Sequence, residues 1–154
     1  MSIRVAQSAG FCFGVKRAVE ALERVAKNLP AGGTVSTLGP LIHNEGYVRS
    51  QEERGIFAID EVEAIKRAEQ ASAAHSFALI IRAHGILLET EEKLREIAAK
   101  NPHFTMVDCT CPFVQKVQKI ALSINPKEKF FLLLGDKDHP EVKGVMRPFS
   151  TEWR

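Results

Sequence analysis

The sequence is short of several things, and each shortage narrows what the chain can be. Its 21 basic and 19 acidic residues leave a formal charge of only +2. That is not the basic field of a dedicated nucleic-acid binder, and no nucleic-acid partner is expected. The longest apolar run, Phe130-Phe131-Leu132-Leu133-Leu134, is about a quarter of the roughly 20 residues that a membrane-crossing helix needs, and no membrane partner is expected. The polar start at Met1 runs straight into a strand pattern rather than a signal peptide, so a cytoplasmic setting is expected. Three cysteines are read there as reduced thiols rather than a disulfide framework. A Cys12–Cys111 disulfide is the plain alternative. Gly10 and Gly14 do not make G-x-G-x-x-G, so a dinucleotide fingerprint is missing as well.

What is present is alternation. Short apolar segments bounded by Gly, Pro or charge predict strands at 2–6, 34–38, 56–59, 77–82, 104–108 and 129–134. Between them lie helical periods. The clearest covers 14–29, where Val15, Ala18, Val19, Leu22, Val25, Ala26 and Leu29 form one stripe and Lys16, Arg17, Glu20, Glu23, Arg24 and Lys27 face away. Leu29-Pro30-Ala31-Gly32-Gly33 ends it. Weaker helices are expected near 44–54, 61–72 and 89–100. Another at 112–124 carries Val114, Val117, Ala121 and Ile124 on one side. Strand–helix alternation of this kind implies an α/β class with Rossmann-like parallel-sheet units. The reading divides the chain into a first unit at 1–110, its first strand free to pack against a further unit, and the truncated start of a second at 111–154. After Leu134 no further helix or strand is expected to close that second unit.

The chemistry-bearing residues fall at matching places. Cys12 follows the 2–6 segment and Cys111 follows 104–108. A helical pattern begins just after each, and Pro112 suits a first helical position. A thiolate at a helix N-terminus is favoured by the helix dipole and by free backbone N–H groups, so two such cysteines are candidates for one metal centre. Two are too few to hold an iron–sulfur cluster alone. His43 follows the second strand, His84 the fourth and His139 the last. All five residues are expected at the C-terminal edge of a parallel sheet, where ligands bind. Histidines beside helix N-termini suit a phosphate. Glu141, two residues after His139, is a candidate proton donor. His75 and His103 fall off this edge and are read as surface residues. Cys109 precedes the cap position and is read as a core thiol, with metal binding through C-x-C as the alternative.

Taken in order, Gly10-Phe11-Cys12-Phe13-Gly14-Val15, Ile42-His43-Asn44, Ala83-His84-Gly85, Asp108-Cys109-Thr110-Cys111-Pro112 and His139-Pro140-Glu141-Val142-x-Gly144 resemble the motifs of the 4-hydroxy-3-methylbut-2-enyl diphosphate reductase (LytB/IspH) family. The resemblance runs from residue 3 to about 146. It implies a trefoil of three α/β units around a 4Fe-4S iron–sulfur cluster and a reductase of the non-mevalonate isoprenoid pathway. The substrate implied is a small allylic diphosphate, and the products are isopentenyl and dimethylallyl diphosphate. It also implies a ferredoxin or flavodoxin electron donor, Cys12 and Cys111 as two cluster ligands, His43, His84 and His139 on the diphosphate, and Glu141 delivering protons. The family is about twice this long, and the third Cys ligand it implies is absent from this chain. The chain is therefore expected to be an N-terminal portion. The competing readings are a non-catalytic remnant that binds a diphosphate or a metal, and a thiol redox protein using Cys109 and Cys111.

Overall fold

A computed structural model describes residues 2–7, 9–125 and 127–146. Its centre is a four-stranded, fully parallel sheet in the order β2-β1-β3-β4, with β1 at Thr34–Leu38, β2 at Phe57–Ile59, β3 at Phe77–Ile81 and β4 at Phe104–Asp108. The register runs Thr34 beside Phe77 and Phe77 beside Phe104, and ends with Leu38 beside Ile81 and Ile81 beside Asp108. Strands β1, β3 and β4 therefore finish level with one another. Phe77-Ala78-Leu79-Ile80-Ile81 is buried throughout, as a parallel strand covered on both faces must be.

Alternation along β3 divides the core in two. Ala78 and Ile80 pack with Ala18, Ala21 and Leu22 of α1 (Phe13–Lys27), and Tyr47 of α2 (Glu45–Glu52) joins that side. Phe77, Leu79 and Ile81 face the other way. They pack with Ala64 and Ala68 of α3 (Glu61–Gln70) and Leu94 of α4 (Leu88–Lys100). Ala at positions 18, 21, 64 and 68 lets helices lie close to the sheet. The expected α/β class with a parallel sheet is what forms.

Beyond β4, α5 (Pro112–Leu122) packs against α6 (Pro140–Met146). Helix α6 corrects the expectation that nothing regular follows Leu134. Two expected strands do not form. Residues 2–6 and 129–134 have no regular structure, with Ile3, Val5, Phe130 and Leu134 78–91% exposed. A strand exists only through its ladder, and among the described residues neither segment lies against another strand. The strand–Cys–helix unit is therefore realised once, at 104–122. The 147–154 tail lies outside the described residues. No described helix is long and apolar enough to cross a membrane.

Candidate active site

In this sheet β1 leads outward to β2 and β3 leads outward to β4. The crevice at the carboxyl ends of β1 and β3 is thus the topological switch point, the usual ligand site of such sheets. The loops leaving those two strands carry His43 and His84. Gly39 (φ +69) and Gly85 (φ +76) turn the chain sharply there. The imidazole rings of His43 and His84 lie 5.3 Å apart, and those of His84 and His139 lie 5.7 Å apart, edge to face. Three residues separated by up to 96 positions thus form one row of rings.

Each ring is set differently. His43 is exposed and directly precedes Asn44, whose side chain caps α2 by accepting from Tyr47 N at 2.9 Å. His84 is half-buried. Its burial, then the nearby Arg82 charge, push its pKa below the ordinary 6.5, with Glu141 opposing. Its Nδ1 is buried without a partner. His139 precedes α6, and its Nδ1 accepts from Glu141 N at 3.2 Å. Only an unprotonated Nδ1 can accept, so the neutral ring carries its proton on Nε2 and presents a donor there. The same bond ties Glu141 to the row. Glu141 is itself half-buried on the first turn of α6.

The two cysteines stand at helix starts as expected. Cys12 is the N-cap of α1 and Cys111 that of α5, with Pro112 next. Neither helix has a side-chain cap bond or an acidic residue in its first turn, so the positive ends of both dipoles are left uncompensated. The cysteine-bearing segments meet, because a Cβ added to Gly14 would lie 2.8 Å from Cys111 Sγ. Phe11, edge-on to Tyr47 at 6.3 Å between ring centroids, ties the approach to Cys12 to α2. All three cysteines are free, so no Cys12–Cys111 disulfide forms. Cys109 is 2% exposed within the α1-side core, and its burial raises the thiol pKa.

Of the five residues expected just past strand ends, His43, His84 and Cys111 are there. Cys12 and His139 are not, because their strands do not form, yet they reach the same edge through the starts of α1 and α6. His75, two residues before β3, and His103, one residue before β4, are exposed at the opposite edge. Several residues of the site were given no role from the sequence. Asp108 accepts from Thr110 N at 2.8 Å and from its hydroxyl, fixing the Cys109–Cys111 loop, while Cys111 N donates to Ala83 O at 2.8 Å. Gln118, 4% exposed, lies between Gly85 and Gly144. Arg82, which packs on Gly39, and Lys143 line an adjoining cleft of about 460 Å³. Gln118 falls at the helical spacing of Val114 and Ala121, and that was the available signal.

Comparison with known proteins agrees with this fold. Residues 3–152 match the family model described as LytB protein. The 4-hydroxy-3-methylbut-2-enyl diphosphate reductase of Clostridioides difficile (strain 630) is 38% identical over 146 residues, covering 94% of this chain and 47% of that protein. A solved structure of (E)-4-hydroxy-3-methyl-but-2-enyl diphosphate reductase, described as the terminal enzyme of the non-mevalonate pathway, is 36% identical with a TM-score of 0.70. The match covers 94% of this chain and 46% of that one. The E-1-hydroxy-2-methyl-but-2-enyl-4-diphosphate reductase of Plasmodium falciparum is 28% identical, also at 0.70, covering 93% and 40%. The chain thus spans about half the length of these relatives.

Proposed function

This chain belongs to the LytB protein family, and on that footing we propose that it supplies the N-terminal part of a 4-hydroxy-3-methylbut-2-enyl diphosphate reductase. The reading makes it a cytoplasmic oxidoreductase of isoprenoid synthesis by the non-mevalonate route, with residues 1–110 as a first unit and 111–154 as the start of a second. The observation that carries it is the row His43–His84–His139 at the switch point, beside the two helix starts at Cys12 and Cys111.

In this reading the rings hold the substrate diphosphate. His139 donates through Nε2, and neutral His84 can gain a proton when an anion arrives. Reductive removal of the hydroxyl breaks one C–O bond, takes up two electrons and two protons, and releases water and isopentenyl or dimethylallyl diphosphate. Glu141, whose backbone N–H donates to His139 Nδ1, gives the departing hydroxyl its proton in this reading. Electrons come from a ferredoxin or flavodoxin.

The donor chemistry fits an iron–sulfur group in kind, since Cys12 and Cys111 place two thiols at uncapped helix starts whose segments touch. It falls short in number. Among the described residues no three His, Cys, Asp or Glu gather to hold a metal ion. Cys12 and Cys111 would be two of the ligands of a 4Fe-4S cluster, and a third would come from outside the described residues. When bound, such a cluster supplies electrons and a Lewis-acidic iron for the hydroxyl oxygen.

The test has two parts. Titration of the chain with inorganic pyrophosphate, followed by histidine NMR, should move the His43, His84 and His139 signals together, and sulfate should bind more weakly. Equal, unselective responses to the two anions would refute the diphosphate site. Anaerobic iron–sulfide reconstitution followed by iron counting should show less iron retained in Cys12→Ser and Cys111→Ser than in the parent chain. Undiminished iron in both variants would remove the ligand assignment. A binding module without turnover shares this pocket, and activity with a low-potential reductant separates the two readings.

A further inference from the structure

We infer that Arg17 and Gly14 are positioning residues that dock the 109–111 loop on the first turns of α1 and so fix the spacing of the Cys12 and Cys111 thiols. This deepens the reading above, on which it rests for the use made of those thiols. Three observations carry it.

The first is a clamp. Arg17 Nη2 donates to Thr110 O at 2.9 Å, across 93 residues of sequence. Among the described residues no carboxylate pairs with Arg17, whereas its neighbour Lys16 faces solvent beside Glu20 at 3.9 Å. The Arg17 side chain therefore serves the loop rather than a surface ion pair.

The second is a notch. A Cβ on Gly14 would lie 2.8 Å from Cys111 Sγ and 3.1 Å from Cys111 Cβ, so the thiol of one segment occupies the space that a side chain would take on the other. Gly14 and Arg17 are three residues apart, on one face of the helix. Cys12 is two residues before the notch. With consecutive Cα atoms 3.8 Å apart, its Cα lies within about 7.6 Å of that of Gly14.

The third is that the loop cannot drift on its far side. Cys109 N and Cys111 N donate to Ile81 O and Ala83 O, and Thr110 is 5% exposed, its backbone and hydroxyl both bound to Asp108. With the far side fixed to β3, the α1 side alone sets where Cys111 stands relative to Cys12.

Dibromobimane tests this, because it becomes strongly fluorescent only after alkylating two thiols within its short reach. The whole chain is used in a Cys109→Ser background, leaving Cys12 and Cys111. Monobromobimane, which needs one thiol, reports each thiol's own reactivity. Bridging should be fast in the parent. It should slow about tenfold in Arg17→Met and Arg17→Gln, the scale of one lost charge-assisted hydrogen bond, with single-thiol alkylation unchanged. Arg17→Lys should fall between, and Lys16→Gln should match the parent. Gly14→Ala should also slow bridging, and it decides the matter if the Arg17 variants fail to fold. Parent-like bridging in Arg17→Met and in Gly14→Ala overturns the inference alone. Absence of bridging in the parent overturns the ligand pair of the proposed function as well.

Discussion

Replacing Gly85 by Ala tests how tightly the His84 loop is built. Gly85 has φ +76, and a left-handed conformation costs a residue with a Cβ roughly 1–2 kcal/mol. The new methyl would also lie 3.0 Å from Gln118 Nε2 and 3.3 and 3.4 Å from Thr110 Cγ2 and Oγ1. Both neighbours are buried, at 4% and 5% exposure, and Thr110 is held by Asp108. They yield poorly, and overpacking of this sort adds about 1–3 kcal/mol. The comparator is Gly55→Ala. Gly55 has nearly the same φ, +78, with nothing within 4 Å of its added Cβ, so it reports the backbone cost alone. The difference between the two variants isolates the packing. At about 2–4 °C per kcal/mol for a chain of this size, it should appear as a melting temperature roughly 2–12 °C lower in Gly85→Ala than in Gly55→Ala. Circular dichroism melts at equal concentration measure it. Pyrophosphate affinity should fall in Gly85→Ala and hold in Gly55→Ala. Two variants melting within a degree of each other would refute the close approach of the His84 loop to α5.

Other consequences concern protons. Because burial and Arg82 hold the His84 pKa below 6.5 in the folded chain, the unfolded chain binds more protons just below that pH. Stability should therefore fall as pH drops from about 6.5 through the folded pKa and level off beneath it. His84→Gln should flatten that fall in melts at stepped pH, and an unaltered profile would remove His84 as its source. Anion binding should oppose the shift, so pyrophosphate should bind more tightly at pH 6 than at pH 8. Glu141→Gln keeps the backbone N–H that His139 accepts. It should leave pyrophosphate affinity and iron content unchanged while removing most turnover in any assembly that supports it; full turnover would end its proton role.

Much of this architecture was legible because it is local. The Val15-to-Leu29 stripe marks α1, and the apolar runs at 34–38, 77–82 and 104–108 become β1, β3 and β4 nearly to the residue. The two failures share a cause. Residues 2–6 and 129–134 have strand-like composition, but composition does not supply a ladder partner, and Ile3 and Phe130 remain exposed. Helix α6 was missed for the opposite reason. It has seven residues with a Gly at 144, so Val142, Val145 and Met146 span barely one turn of apolar spacing, although Pro140 in its first turn and Glu141 beside it were start signals. The site residues were legible as types and in order. The tautomer of His139, the notch at Gly14 and the Arg17 bond to Thr110 were not, because each depends on backbone geometry or on a contact across a long stretch of chain.

Helix capping separates the parts of this chain that hold the fold from the parts left open to chemistry, and that separation carries a last prediction. Helix α2 is capped by Asn44 and α3 by Asp60, and acidic residues occupy the first turns of α2, α3 and α4. Helices α1 and α5, which start at Cys12 and Cys111, have neither device. A side-chain cap is worth about 1 kcal/mol, against a total stability of roughly 5–15 kcal/mol, so two helices forgo a noticeable amount. Cys12 has φ −62 and ψ 162, the extended backbone an N-cap requires. Cys12→Asp should then cap α1 and complement its dipole, raising the melting temperature by about 2–4 °C per kcal/mol gained. The same change should lower iron retention after reconstitution, because a soft thiolate is exchanged for a hard carboxylate. A variant that is stabilised and loses iron would show that stability is given up at Cys12 for a ligand. A variant that melts at or below the parent would show that the α1 start is already satisfied, and the open-dipole account of the two cysteines would fall.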